Sequence, residues 1–226
     1  MTIKAMIQAR SGSVRVKNKN IRPFADSSLL EIKISQLMSI KELDGVIVNS
    51  NDDEILSIAK KMGCETFKRD PYYATNEVCA SDMYVYFAKN FDADVMAFCN
   101  CTNPLMKSET IAQGISKYYD VCGEYDSVNS VSPVHEFLFK DGKPINYKLD
   151  RQPRSQDLPA IYSLNWGFNI ISPETILKTK NMVGTNPYMY EVDDIEGFDI
   201  DYPLDFEFAE FLYRKLRLNE NGTSVL

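Results

Sequence analysis

An α/β fold, a mostly parallel sheet with helices on both faces, is what this chain predicts, and three observations predict it. Segments with strand character alternate with segments of helical spacing along most of its 226 residues. The run Val95-Met96-Ala97-Phe98-Cys99 is apolar throughout, as a strand covered on both faces must be. The first strand-like segment, Ile3 to Gln8, runs straight into a loop bearing glycine and several cations, the place where open α/β sheets hold ligands.

Taken in order, Ile3 to Gln8 is the first strand. Ser28 to Ser39 carries Leu29, Leu30, Ile32, Ile34, Leu37 and Met38 near helical spacing and predicts a crossover helix. Val46 to Ser50 is the second strand, followed by a helix over Asp53 to Met62 that Gly63 stops. Glu65 to Arg69 reads as a short strand, and Ser81 to Asn90 as a helix capped by Ser81 or Asn76. Asp94 to Asn100 contains the doubly covered strand. Ser108 to Tyr119 is a helix with Ser108 as N-cap and Glu109 as first-turn acid, and Ser127 to Ser132 is a further strand.

From Pro133 to Pro159 the texture changes. Prolines at 144, 153 and 159 and the turn pair Asp141-Gly142 predict a hairpin insertion over about 133–160, the expected oligomerisation arm. Core structure resumes over Leu164 to Ile171, and the last helix runs from Pro203, suited to a first helical turn, to about Leu218. With 44% hydrophobic residues the chain can bury one full core, so residues 1–226 are expected to form a single domain carrying that insertion.

The formal net charge of −7 argues against nucleic-acid and anionic-membrane partners, which ordinarily require a broad basic face. No stretch is long enough to span a bilayer, and the opening Met-Thr-Ile-Lys-Ala-Met-Ile enters a strand without an apolar leader, so a cytoplasmic protein is expected. The five cysteines, Cys64, Cys79, Cys99, Cys101 and Cys122, lack metal-type spacing. Cys99 and Cys101 alternate along a strand and share a face, as reduced core or pocket residues. The single histidine, His135, falls in a loop, which leaves neither a zinc set nor a Ser-His-Asp or Cys-His arrangement.

Against that acidic balance, residues 9–20 (Ala-Arg-Ser-Gly-Ser-Val-Arg-Val-Lys-Asn-Lys-Asn) hold four cations in one short loop. Backbone N–H groups at Ser11, Gly12 and Ser13 can curl around an anion while Arg10, Arg15 and Lys19 neutralise it, the chemistry of triphosphate binding. Alone, the segment also fits a solvated basic loop. Near the other end, Asp199-Ile200-Asp201 sets two carboxylates on one side of an extended segment, where they repel unless something positive lies between. Alone, that pair also fits an exposed acidic edge, with Glu191, Asp193, Asp194 and Glu196 upstream. Together with a triphosphate loop it fits Mg²⁺, which takes one or two carboxylates plus substrate phosphates.

Several stretches then match one family in order: Ala9-Arg10-x-Gly12-Ser13 with Lys19-Asn20, Arg69-Asp70-Pro71 leading to Ala74, Thr102-x-Pro104-Leu105, Gln152-Pro153-Arg154 with Leu158-Pro159 and Asn165, and Asp199-x-Asp201. Over nearly its whole length the chain resembles the acylneuraminate cytidylyltransferases, or CMP-sialic acid synthetases. The resemblance implies a Rossmann-like nucleotidyltransferase that works as a homodimer with Mg²⁺. In it the anomeric hydroxyl of a nonulosonic (sialic, legionaminic or pseudaminic acid-like) sugar acid attacks the α-phosphorus of CTP and releases pyrophosphate, a step in CMP-sugar and surface-polysaccharide biosynthesis. By position, Arg10, Gly12, Ser13, Lys19 and Asn20 would hold the triphosphate, with Arg69 and Ser81 at the nucleotide and Asp199 and Asp201 on the metal. Arg10, Lys19 and Asp201 would carry the chemistry, Lys19 by offsetting charge on pyrophosphate. Asn100, Arg154 and Asn169 would face the sugar, Arg154 pairing with its carboxylate in a bidentate fork.

The chain departs from the family at Asn100-Cys101-Thr102-Asn103-Pro104-Leu105, where members commonly have Gln-Pro-Thr-Ser-Pro-Leu, and at Asn169, where they commonly have an aromatic. An altered acceptor pocket follows, and with it two alternatives: a CTP-dependent transferase for octulosonic acid or a phosphorylated small molecule, or a nucleotide-binding protein without catalysis.

Overall fold

A computed structural model describes residues 1–13 and 15–220. The strands are β1 (Ile3–Gln8), β2 (Pro23–Phe24), β3 (Ser27–Ser28), β4 (Gly45–Ser50), β5 (Glu65–Lys68), β6 (Val95–Asn100), β7 (Ser127–Pro133), β8 (Phe139–Lys140), β9 (Lys143–Pro144), β10 (Tyr162–Ile171) and β11 (Pro187–Glu191). The helices are α1 (Leu29–Met38), α2 (Asp53–Lys61), α3 (Ala80–Lys89), α4 (Ser108–Val121), α5 (Pro173–Thr179) and α6 (Pro203–Glu220).

Seven strands form the main sheet in the order β11-β7-β10-β6-β1-β4-β5. Only β10 runs against its neighbours; every other pairing is parallel. From β1 the chain winds outward through β4 to β5, then crosses back to place β6 on the other side of β1. That reversal is the switch point where open α/β sheets form a crevice at the carboxyl ends of their strands.

Alternation along the central strands builds two cores. Ile3, Ala5 and Ile7 of β1 and Val95, Ala97 and Cys99 of β6 pack with buried residues of α1, α2, α4 and α6. Met6, Met96 and Phe98 point the other way, to Phe87 of α3 and Ile176 of α5. Val95–Cys99 is therefore apolar throughout because both of its faces are covered.

Local differences from the sequence-based expectation have identifiable causes. Helix α3 starts at Ala80 after Cys79, with no side-chain cap, so neither Ser81 nor Asn76 caps it. Ser108 does not cap α4: it sits inside the first turn and donates to the Gln36 carbonyl, while the buried Glu196 carboxylate accepts from Lys107 N, a tertiary partner doing the work of a local cap. Helix α5, strand β11 and the two-residue pair β2–β3 lack a counterpart in the periodicity. Strand β10 extends past the expected core segment and carries a register shift between Leu164 and Asn169.

Within the predicted insertion, β8 and β9 pair only with each other. Asp141 and Gly142 both take positive φ, 51° and 74°, as a two-residue hairpin turn requires. Phe139, Ile145 and Leu149 stand exposed along this arm.

Candidate active site

The loop after β1 is held in place by its neighbours. Asn51, just past β4, accepts from Ser11 N at 3.2 Å and donates to Ser11 Oγ at 2.9 Å. Arg10 reaches across to the segment before α3 and donates to the carbonyls of Ala74 (3.0 Å) and Thr75 (3.5 Å). Gly12 has φ +81°, and a Cβ there would meet nothing within 4 Å. The left-handed backbone at this position favours glycine. The Asn20 carbonyl accepts from Leu30 N at 2.9 Å and ties the loop's end to α1.

The acidic pair meets this loop although the two lie far apart in sequence. Lys19 Nζ donates at 2.6 Å to the carbonyl of Ile200, the residue between the two aspartates and 181 positions away. Arg15 pairs with Asp201 at 3.0 Å. These are the positive groups that two adjacent carboxylates demand. Ile200 N in turn donates to the Thr102 carbonyl at 2.9 Å, so the acidic segment is anchored from both sides.

Burial shifts the two groups at this junction. Asp199 is held above the usual carboxylate range, first by desolvation and also by Asp201, against a hydrogen bond from the Thr102 side chain and the attraction of Lys19. The Lys19 ammonium is lowered by desolvation, with Asp199 and Asp201 opposing. Asp199 Oδ1 is buried and makes no hydrogen bond, an open acceptor that carries an uncompensated cost.

A second anion-seeking group comes from the end of β5. Arg69 is 1% exposed, donates to the side chain and carbonyl of Asn49, and lies 5.1 Å over the Phe87 ring. Burial, followed by the nearby Arg10, pulls its guanidinium down to about 10, still charged at neutral pH. Its hydrogen-bond partners are the neutral groups of Asn49, so a negative ligand would supply the compensation a buried cation needs.

These side chains line one cavity of about 590 Å³ at the carboxyl ends of the central strands. Arg10, Ser13, Lys19, Asn20, Arg69, Asn100, Asp199 and Asp201 are all on its wall. Gln8 and Asn100, register partners at the ends of β1 and β6, form part of its floor.

Four expected site residues are placed elsewhere. Gly12 shapes the loop without lining the cavity. Ser81 lies in the first turn of α3 beside the lining residue Ala80. Asn169 is fully buried in β10 and donates to Asn129 Oδ1 at 2.6 Å, so it belongs to a core polar pair and not to a sugar-facing wall. Arg154 is 73% exposed in the arm and forks onto Asp157 at 2.7 and 3.1 Å, outside its own chain's cavity.

Motif reasoning missed the supports. Lys33 is fully buried in α1 and donates at 2.9 Å to the carbonyl of Asn103, whose amide donates to Phe198 O, next to Asp199, at 3.3 Å. One signal was available: Lys33 stands four residues from both Leu29 and Leu37, on the helix's apolar stripe. The polar run Asn49-Ser50-Asn51 at the end of β4 is the other, since strand ends beside a switch point face the crevice.

A cationic loop, a buried arginine and a carboxylate pair sharing one crevice at a switch point define a phosphate-handling α/β protein of the nucleotidyltransferase class. The cytidylyltransferase family model matches residues 4–224, and the chain belongs to that family; it is an enzyme of this type, and the motif-level resemblance holds. It is similar to post-translational flagellin modification protein B of Campylobacter coli, at 26% identity over 96% of this chain and 97% of that protein. It is similar as well to CMP-N,N′-diacetyllegionaminic acid synthase of Campylobacter jejuni, at 27% over 93% and 94%. It matches N-acylneuraminate cytidylyltransferase of Oncorhynchus mykiss at 27% over 92% of this chain, spanning about half (49%) of that longer protein. Among solved structures, CMP:2-keto-3-deoxy-manno-octonic acid synthetase complexed with CTP shares the fold with a TM-score of 0.72 at 12% identity, covering 96% of this chain and 100% of that one. No helix among the described residues is long and apolar enough to cross a membrane.

Proposed function

We propose that the protein transfers CMP from CTP to a nonulosonic sugar acid of the sialic, legionaminic or pseudaminic kind, with release of pyrophosphate. The observation that carries this reading is the junction of Lys19 with the Asp199–Asp201 segment inside a cavity that also exposes Arg10 and Arg69. Relatives named for legionaminic, N-acylneuraminic and pseudaminic acid support the acceptor class.

Mg²⁺ fits the site. Asp199 Oδ1 is a buried, unpartnered hard oxygen, and Asp201 lines the same cavity. Two carboxylates suit an ion that completes its shell with substrate phosphates and water. When bound, it neutralises charge on the reacting phosphates.

The chain's own groups do the rest. Arg10, Ser13 and Asn20 grip the triphosphate, and Arg69 compensates charge from beneath. Lys19 offsets negative charge as it develops on pyrophosphate. The anomeric hydroxyl oxygen forms a bond to the α-phosphorus and releases its proton to water as the bond from that phosphorus to the bridging oxygen of pyrophosphate breaks, so no protein nucleophile is required; positioning and electrostatics suffice. Asn100, at the end of β6, faces the acceptor.

The exposed apolar side chains of the hairpin arm support a homodimer, and use of CTP supports a cytoplasmic site of action. Turnover is the test: pyrophosphate release with CTP, Mg²⁺ and a panel of sialic, legionaminic, pseudaminic and octulosonic acids. Release with one of the nonulosonic acids is expected. Silence with all of them, or release with octulosonic acid alone, overturns the acceptor class.

A further inference from the structure

Most of the apolar lining of the cavity comes from one stretch of chain. Between β5 and the second turn of α3, Tyr73, Val78, Ala80 and Met83 all line it, in contrast to the cations and carboxylates contributed by the loop after β1 and by the 199–201 segment. Tyr73 is the one aromatic side chain on the cavity wall among the described residues.

Tyr73 is also rigidly backed. Its ring stacks on Tyr86 of α3 at 3.9 Å between centroids with the planes 15° apart, and Tyr86 stacks on Phe67 of β5 at 5.5 Å and 23°. The Tyr86 hydroxyl accepts from Asp70 N at 3.1 Å, and Tyr73 N donates to Asp70 O at 3.0 Å, so side chain and backbone of the short turn are fixed together. Arg10, by holding the Ala74 carbonyl, ties this turn to the cationic loop. A preorganised aromatic ladder that runs from the sheet to a cavity edge exceeds what packing of a short surface turn needs. It does suit a ligand with a flat, weakly polar ring attached to an anionic tail, because stacking takes the ring while the cations take the tail.

We propose that Tyr73, backed by Tyr86 and Phe67 and flanked by Val78, Ala80 and Met83, is the stacking wall for the nucleobase and a determinant of nucleotide affinity. This rests on the nucleotide-donor reading above. Arg69, which follows β5 and packs on Phe87 of α3, lines the same cavity as this apolar stretch.

Calorimetric binding of CTP and of inorganic tripolyphosphate, both with Mg²⁺, separates the two ends of the ligand. Tyr73→Ala is expected to weaken CTP about 10-fold, the usual size of one lost base–aromatic stack, with tripolyphosphate affinity unchanged. Tyr73→Phe keeps the ring and should bind CTP like the natural protein. Tyr73→Leu keeps apolar bulk without a flat face and should track Tyr73→Ala, which covers the case of an alanine variant that folds poorly. CTP affinity in the alanine and leucine variants equal to that of the natural protein, or an equal loss toward tripolyphosphate, overturns the assignment. Failure of the natural protein to bind CTP at all while binding tripolyphosphate would instead strike the nucleotide reading itself, and the assignment with it.

Discussion

The two sides of the central sheet teach different lessons. On the side of β1, β4, β5 and β6, charged residues picked from local motifs converge: Arg10 and Lys19 share a cavity with Asp199 and Asp201, and Arg69, placed by resemblance, joins them. Across β10, toward β7 and the arm, two residues chosen by resemblance do not: Asn169 is buried against Asn129, and Arg154 points to solvent with Asp157. A loop behind a strand carries its own geometry, so its motif reports a site directly. A strand residue has only two faces, and a residue on an arm acquires its surroundings from whatever packs on that arm. Neither face nor partner is written in a short motif.

The sharpest way to break this contrast is at the carboxylates. Asp201→Ala is expected to lower pyrophosphate release roughly 10³-fold or more, since loss of metal-assisted charge stabilisation costs several kcal/mol in the transition state. Asp199→Asn should be equally inactive and yet raise the thermal midpoint of the nucleotide-free protein. Burial raises the Asp199 pKa in the folded state, so folding disfavours the ionised form. The resulting cost appears as pH climbs from the ordinary carboxylate value, near 3.9, through the raised one, and it stays at neutral pH. The gain from asparagine should therefore shrink on acidification in melts recorded across that range. A variant less stable than the natural protein at every pH would show that Asp199 is a structural partner and not an open ligand.

Next in size is Lys19→Ala, with about a 10²-fold fall in kcat expected from loss of one preorganised donor and a smaller change in the KM for CTP. Lys19 also restrains the Ile200 carbonyl. Should the loss appear only in KM, Lys19 would be a tether for CTP and the nucleotide side would contain no group tuned to the departing pyrophosphate.

Much of the fold was legible because periodicity and burial coincide. Val95–Cys99 shows both faces covered, and the apolar spacing of α1 shows a packed helix. Helix α5 has seven residues and β11 five, too short for periodicity to separate from loop. The cap at Ser108 failed because local preference yields to tertiary contacts, here Glu196 with Lys107 N. In the site, the anion-binding groups were visible as charge. Their supports were not: Asn49, Asn51 and Lys33 look like ordinary polar residues until the fold shows what each one holds.

On the other side of the sheet, Asn169→Ala sharpens the comparison through stability. The substitution removes the donor to Asn129 Oδ1 in a fully buried pair, and about 1–3 kcal/mol of folding stability should go with it, read from denaturant melts. KM for the sugar acid should stay unchanged. A shift in that KM without loss of stability would return Asn169 to the acceptor wall.

The smallest effect is expected at Arg154, and it decides whether the arm belongs to the site. An exposed guanidinium paired with a near neighbour along the chain contributes little to folding, so Arg154→Ala should leave the melting temperature unchanged. In a homodimer whose arms reach across, the same substitution raises KM for the sugar acid a few-fold and leaves KM for CTP alone, because a bidentate partner for the acceptor carboxylate is lost while the nucleotide wall is intact. Mixing supplies the control. Arg154→Ala protein combined with Asp201→Ala protein restores, in mixed dimers, one cleft that has its own carboxylate pair and the other chain's Arg154, so part of the activity regains the low KM. If mixing recovers nothing while the single variant still shows the raised KM, the arm must fold back to its own cleft. If the single variant shows no change, the fork onto Asp157 is all that Arg154 does.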